Sequence, residues 1–280
     1  MIRAIGTSLR RIALVLIIGY SPLVGDQPIM NMMPRWDGGY GVQALAETIH
    51  RSDLKLGDAV VGKGFSEDIQ LLHLQGVYTW DRSVRLTFKL PYVVSAQREV
   101  LGIDNEKVVQ HDQGIGDLTL ALPLKQYFNL SARSGNWSIV PQIIIPLGAA
   151  DGKHNYAVAN RVWGSGISLG YETETYHWFF AASASAWAYE SNKSNQWGGS
   201  IDLGLKSGDR DQLLYLWESD FKLDVEDAFI LSAGPAVYYR FSDTIHTRFE
   251  WKHDFISRVS KRQAEYANGD RISFGIGFVF

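Results

Sequence analysis

The chain has no cysteine, few prolines, no long apolar run and almost no net charge, and each shortage narrows its class. Without cysteine there is no disulfide framework, no thiol nucleophile and no cysteine-ligated zinc. A formal net charge of −3 supplies no clustered basic face, so nucleic acid is not an expected partner. No stretch reaches the roughly 18 uninterrupted apolar residues that a membrane helix needs. What is abundant points elsewhere. Eight prolines stand against 27 glycines, 13 tyrosines, 13 phenylalanines and nine tryptophans, a balance that favours strands, where aromatics are enriched and glycine marks turns and bends. A mean hydropathy of −0.10 is too polar for membrane helices but suits strands in which every second residue faces water.

The N-terminus reads as a secretory signal peptide. Arg3, Arg10 and Arg11 precede the apolar run from Ile12 to Tyr20, and Ser21-Pro22 breaks it, the charged, apolar and breaker order of such a segment. We assign residues 1–25 to it, with cleavage expected after Gly25. Residues 26–38 show no strand periodicity and are read as a periplasmic tail or partial plug. They hold Met30, Met32 and Met33, the one candidate for a soft-metal site because thioethers suit Cu(I). The competing reading is that flexible methionines fill gaps at a barrel mouth. No cofactor is expected, since the seven histidines show no metal-ligand spacing.

From residue 39 to 280 the pattern is alternation. In the last stretch Ile272, Phe274, Ile276, Phe278 and Phe280 share one face of an extended strand while Ser273, Gly275, Gly277 and Val279 share the other, as successive side chains of a strand must. The same period recurs upstream. Leu72, Leu74, Tyr78 and Trp80 oppose His73, Gln75 and Thr79; Leu86, Phe88 and Leu90 oppose Arg85, Thr87 and Lys89; Phe249 and Trp251 oppose Arg248, Glu250 and Lys252. Residues 116–128 read as one strand with Leu118, Leu120, Leu122 and Leu124 on a single face, and a bulge is expected near Pro141, where a ladder donor is missing. In residues 229–240, Phe229, Leu231, Ala233, Pro235, Val237 and Tyr239 are expected on one face opposite Ser232, Gly234, Tyr238 and Arg240. Gly39 to His50 reads as a weaker first strand. The charged stretches 51–68, 92–114, 148–161 and 254–270 read as external loops, and tripeptides such as Asp81-Arg82-Ser83 as tight turns.

About twelve strands result, with long and short connections in alternation. Outer-membrane barrels have that asymmetry, with long external loops and short periplasmic turns, whereas a secreted β-sandwich has no reason for it. The expected fold is therefore all-β, a transmembrane antiparallel barrel in a Gram-negative outer membrane, with both termini periplasmic and lipid as its surroundings. Trp80, Trp137, Trp178, Trp217, Trp251 and Phe280 would form interfacial girdles. The lumen would be lined by Glu47, His73, Gln75, Arg85, Lys89, Asp117, Lys125, Gln142, Asp202, Lys206, Glu218, Arg240, His246, Arg248, Glu250 and Lys252. Such charges either line a pore for a small-molecule solute or pair with one another and fill the barrel. A lipid hydrolase is the enzymatic alternative, and it would need a Ser–His pair within hydrogen-bond reach. His246 and Ser273 lie on adjacent strands but on the lumen face, so no enzyme is expected.

Two resemblances bear on this. The alternating strand that closes on Phe280 resembles the C-terminal assembly signal of bacterial outer-membrane barrels, which implies the outer-membrane assembly machinery as a partner. Gly114-Ile115-Gly116-Asp117 opening a leucine-alternating strand, Pro146-Leu147-Gly148 and Gly164-Ser165-Gly166 resemble the outer-membrane barrel family associated with the meta pathway of phenol degradation, over roughly residues 70 to 280. That resemblance implies a transporter for small solutes, hydrophobic or aromatic compounds among them, and carries no catalytic residues. The alternative function is a non-conducting structural or adhesive barrel that acts through its external loops.

Overall fold

The computed structural model describes residues 38–102, 106–147, 162–190, 195–207, 212–224, 228–261 and 264–280. The expected signal peptide, the methionine segment and the expected loop 148–161 lie outside the described residues. The described chain is all strand: β1 (Gly39–Leu56), β2 (Ala59–Asp81), β3 (Val84–Leu101), β4 (Lys107–Ile115), β5 (Leu118–Ala121), β6 (Leu124–Leu130), β7 (Arg133–Ile145), β8 (Gly164–Glu174), β9 (Trp178–Tyr189), β10 (Gln196–Ser207), β11 (Leu213–Asp224), β12 (Phe229–Arg240), β13 (Ile245–Arg258), β14 (Glu265–Tyr266) and β15 (Gly269–Val279). β4, β5 and β6 are successive segments of one wall strand and β14 is a short piece laid on β1. The wall thus has twelve antiparallel strands.

β1 closes the wall. It pairs with β2 from Gly39↔Thr79 to Leu56↔Ala59 and with β15 from Gly41↔Val279 to Arg51↔Gly269. Tyr40 and Phe280 exchange both backbone hydrogen bonds, at 2.9 and 2.8 Å, and their rings stack. The alternation of the sequence becomes an inside and an outside. Leu72, Leu74, Tyr78 and Trp80 on β2 and Ile272, Phe274, Ile276 and Phe278 on β15 are exposed, while Gln75, Thr79 and Ser273 are buried. An apolar outer face with polar residues turned inward is the reverse of a water-soluble sheet, and it matches a barrel solvated by lipid. The outer face turns polar further out, where His50 and Asp68 bond at 2.7 Å and Asp270 accepts from Trp251 Nε1 at 2.9 Å.

Several expected loops are strand. Residues 51–68 are the upper parts of β1 and β2, which turn at Gly57 (φ +61°), and residues 92–114 continue β3 and open β4. The period-two signal fades there because a hairpin standing above the membrane is wet on both faces and needs no apolar side. Conversely, the expected single strand over 116–128 is broken. Pairing of β5 with β7 stops at Ala121↔Gln142 and resumes on β6 at Leu124↔Ile139. Pro123 occupies the gap. The interruption expected at Pro141 is carried there by its partner strand: Pro141 itself stays in register with Ile167 of β8 and accepts from the Leu122 amide at 2.9 Å. Pro91 and Pro235 likewise lie where the ladder is interrupted, between Tyr92↔Ile115 and Lys89↔Thr119, and between Ala233↔His253 and Ala236↔Glu250. Proline is tolerated where no donor is required. The register shift between β12 and β13 falls on β13, where Phe255 is the extra residue between Leu231↔Ile256 and Ser232↔Asp254; β12 keeps unbroken register with β11, so Ala233 keeps the parity opposite to Ser232 and Gly234, although it is buried.

The chain after β13 folds back over the outer mouth. Tyr266 pairs with Leu54 on β1 yet donates its hydroxyl to Glu99 O on β3 at 2.5 Å, and Ser260 O accepts from Gly57 at 2.9 Å. Val259 and Ala267 are fully buried in this fold.

Leu74 lies midway along β2 between Trp80 and Asp68 and is exposed. Leu74→Arg is expected to lower the unfolding free energy in lipid by about 2–4 kcal/mol, as a cation at the bilayer midplane does. Urea titration of the barrel refolded in vesicles measures it.

Candidate functional site in the lumen

Inward positions of the strands converge on two zones. The first is an apolar arc at the periplasmic end of part of the wall. Val77 of β2, Phe179 and Ala181 of β9, Leu214 and Leu216 of β11, Ala236 and Tyr238 of β12 and Val279 of β15 form one buried cluster, all within a few residues of the periplasmic ends of their strands. These residues form an apolar arc drawn from five of the twelve strands.

Above the arc the wall is charged. Arg248 of β13 donates to Glu218 at 2.7 Å and to Glu250 at 2.5 Å; Lys252 reaches Asp220 at 2.7, Glu250 at 2.8 and Glu218 at 3.0 Å. Arg271 lies 3.4 Å from Asp220 and 3.7 Å from Glu47, which is bonded to His73 at 2.5 Å. The sequence places these charges two apart on β11 and β13, so alternation stacks them on one face, and the register sets acids beside bases. Further out Arg51 bonds Glu67 at 3.0 Å and approaches Asp254 at 3.9 Å. Arg248, Glu250 and Lys252 are each only 2% exposed, so each charge depends on its partners for stabilisation.

A second group spans β6, β7, β8 and β10. Lys125 holds Glu172 at 3.1 Å, Asn136 donates to the same carboxylate at 2.5 Å, and Lys206 holds Glu174 at 2.7 Å. Arg85 of β3 donates to the Tyr127 hydroxyl at 3.3 Å. Gln142 donates to Ser168 at 2.5 Å, Gln75 and Asp117 are buried, and Arg240 ends β12 with its amide on Gln212 O at 2.8 Å. His246 packs over Gly277, whereas Ser273 Oγ faces Glu250 at 3.5 Å. These two are therefore not brought together as a nucleophile and base. Among the described residues no group of histidines and acids is arranged to hold a metal ion.

Several inward charges of these groups lay outside the expected set, among them Asp220, Arg271, Arg51, Glu67, Asp254, Glu172 and Glu174. Asp220 and Arg271 share the parity of Glu218 and Ser273 and could have been read from it; Arg51 was hidden in a stretch read as loop. The network borders a half-open cavity of about 120 Å³ lined by Ile49, Arg51, Asp220, Lys222, Asp254 and Arg271, among others.

A closed barrel with an apolar, aromatic exterior and an ionised interior defines an outer-membrane β-barrel protein. The chain belongs to the family described as "Putative MetA-pathway of phenol degradation", whose model matches residues 50–268. Among solved structures, an outer membrane channel from Pseudomonas putida F1 is 14% identical, covers 93% of this chain and 100% of its own, and superposes with a TM-score of 0.71. The similarity to that channel is one of fold. KdgM porin (9% identity, 86% of this chain and 99% of that one, TM-score 0.49) and the CymD monoaromatic hydrocarbon channel (9%, 94% and 94%, TM-score 0.38) are more distant. No curated protein matches the sequence.

Arg248 neutralises two carboxylates at once. Arg248→Met is expected to destabilise the barrel by about 3–5 kcal/mol because Glu218 and Glu250 keep buried charge. Adding Glu250→Gln should recover part of that loss, and heat-dependent gel mobility of the single and double variants would reveal it.

Proposed function

We propose that the barrel passes small solutes across the outer membrane through its lumen, and that it performs no chemistry on them. The observation that carries this reading is the half-open cavity bordered by charges of both signs, beside Ile49, Phe221 and Ile230. A solute passing inward meets charged groups on much of the wall and, near the periplasmic end, an apolar arc on part of it. Hydrophobic constrictions regulate passage by controlling wetting, and charged linings by controlling which ions enter. The mixed lining suits solutes with a polar group on an apolar body, and hydrophobic or aromatic compounds with a hydroxyl or carboxylate satisfy it. Family membership supports the same solute range.

In planar bilayers the refolded protein should give discrete conductance steps, and vesicles carrying it should swell in small polar solutes. A barrel that is fully folded yet silent in both assays would contradict the reading and favour the alternative, a non-conducting barrel acting through the external hairpins β1–β2 and β3–β4.

Phe280 is proposed as the recognition element for the outer-membrane assembly machinery. Support comes from its position: the ring is exposed and stacked on Tyr40 at the seam where the first and last strands meet. Deleting Phe280 should reduce insertion in cells severalfold while leaving refolding into detergent nearly intact. Equal insertion of the truncated and full chains would remove that role.

A further inference from the structure

The outer mouth is tied across by side chains. Tyr266 of β14 donates its hydroxyl to Glu99 O on β3 at 2.5 Å, and Arg98 of β3 donates back to Ala264 O at 3.2 Å. The Arg98 guanidinium lies 5.4 Å from the centre of the Tyr266 ring. The two bonds thus run in opposite directions between the same two stretches of chain. At this height β1 and β2 stand between β3 and β14 in the wall, so the contact is a chord that cuts across the mouth and does not follow the ladder. Tyr266 is buried, beside its buried register partner Leu54 and next to Ala267.

What the chord joins is weakly held on both sides. Among the described residues the β2–β3 ladder ends at Glu67↔Arg98, and above it β3 pairs only with β4. β14 pairs with β1 only at Leu54↔Tyr266 and Lys55↔Glu265, and Ala267 and Asn268, the latter at φ +71°, cut it off from β15. Segments with so few ladder bonds open at the lowest free-energy cost in a fold. The half-open cavity lies below them. Arg51 and Gly269, two of its lining residues, are register partners and stand three positions deeper on their strands than Leu54 and Tyr266, about 10 Å at strand spacing. Arg98 connects the two levels, because its Nε lies 3.8 Å from Glu67, the carboxylate that holds Arg51 at 3.0 Å.

We propose that Arg98 and Tyr266 are the latch of an outer gate: while they bridge β3 and β14 the entrance above the cavity is shut, and a solute enters when the tip of the β3–β4 hairpin parts from β14. The inference rests on the lumen being a solute path. Each latch residue holds the chord through one hydrogen bond to a main-chain carbonyl, and a bond of that kind has a small net worth. The closed form therefore outweighs the open one by a modest factor, and the gate flickers. The ladders below Arg98 and beyond Gly269 take no part in the motion, so the wall stays closed to lipid while the mouth opens.

Single-barrel current recordings at constant voltage test it. Wild-type openings should be brief. Tyr266→Phe, which removes only the hydroxyl, should raise the ratio of open to closed time about two- to tenfold, the worth of one hydrogen bond, and leave the size of each conductance step unchanged. Arg98→Gln should act in the same direction, and the double variant should exceed either. Because the chain has no cysteine, Arg98→Cys combined with Ala264→Cys can be joined, in a barrel already inserted, by a short bifunctional thiol reagent with a reducible spacer. The link should abolish openings and reduction should restore them, which separates gating from any folding defect. Conducting barrels whose open time ignores both substitutions, whatever their step size, or that conduct normally while linked, overturn the gate and leave the channel standing. A folded barrel that conducts neither with the latch nor without it overturns both.

Discussion

Everything in this molecule depends on one constraint: hydrocarbon offers no hydrogen-bond partner to a peptide group, so a chain crossing it as strands must satisfy every donor and acceptor within the wall. A sheet meets that condition only by closing, and β1 closes it by pairing on both edges. Prolines 91, 123, 141 and 235 fall at interruptions of the ladder, where a missing N–H leaves no acceptor stranded. The outer surface then follows from solvent, with aliphatic and aromatic side chains against lipid and imidazole–carboxylate contacts such as His50–Asp68 where the lipid gives way to water.

Closure creates a second problem, because twelve strands enclose more space than apolar side chains fill at native density. The chain solves it in layers. On part of the periplasmic end the inward residues are apolar and pack together; elsewhere interlocked acids and bases occupy the wall. Such a set gains little net stability over an apolar equivalent, since desolvation offsets most of the attraction, but loss of any one member leaves its partners exposed to that penalty. The network is therefore a strong constraint on side-chain position.

The strand order, the inward parity of Arg85, Glu218, Arg248, Glu250 and Lys252 and the outward parity of the last strand were all legible, because a wall with lipid on one side and polar groups on the other prints a period of two directly into the residues. The signal failed where that difference of solvent ends. Above the membrane, residues 51–68 and 92–114 are strand without alternation. It also failed at Leu122-Pro123, where leucine spacing continued across a broken ladder. Pairing lay beyond reach altogether: parity says that Glu47 and Arg271 point inward, but only register brings them and Asp220 together.

The seam between β1 and β15 has a consequence for time. Its register couples residues 41–51 with 269–279, the first and last strands of the wall, so the contacts that complete it are among the least local the described chain contains. Until the final strand arrives, the growing sheet carries two bare edges, each a template for any other extended chain, and topologies so dependent on distant contacts assemble slowly. No fragment lacking its last dozen residues has a finished wall to fold into. The barrel must therefore be made after synthesis ends, from a chain held extended and apart from its neighbours.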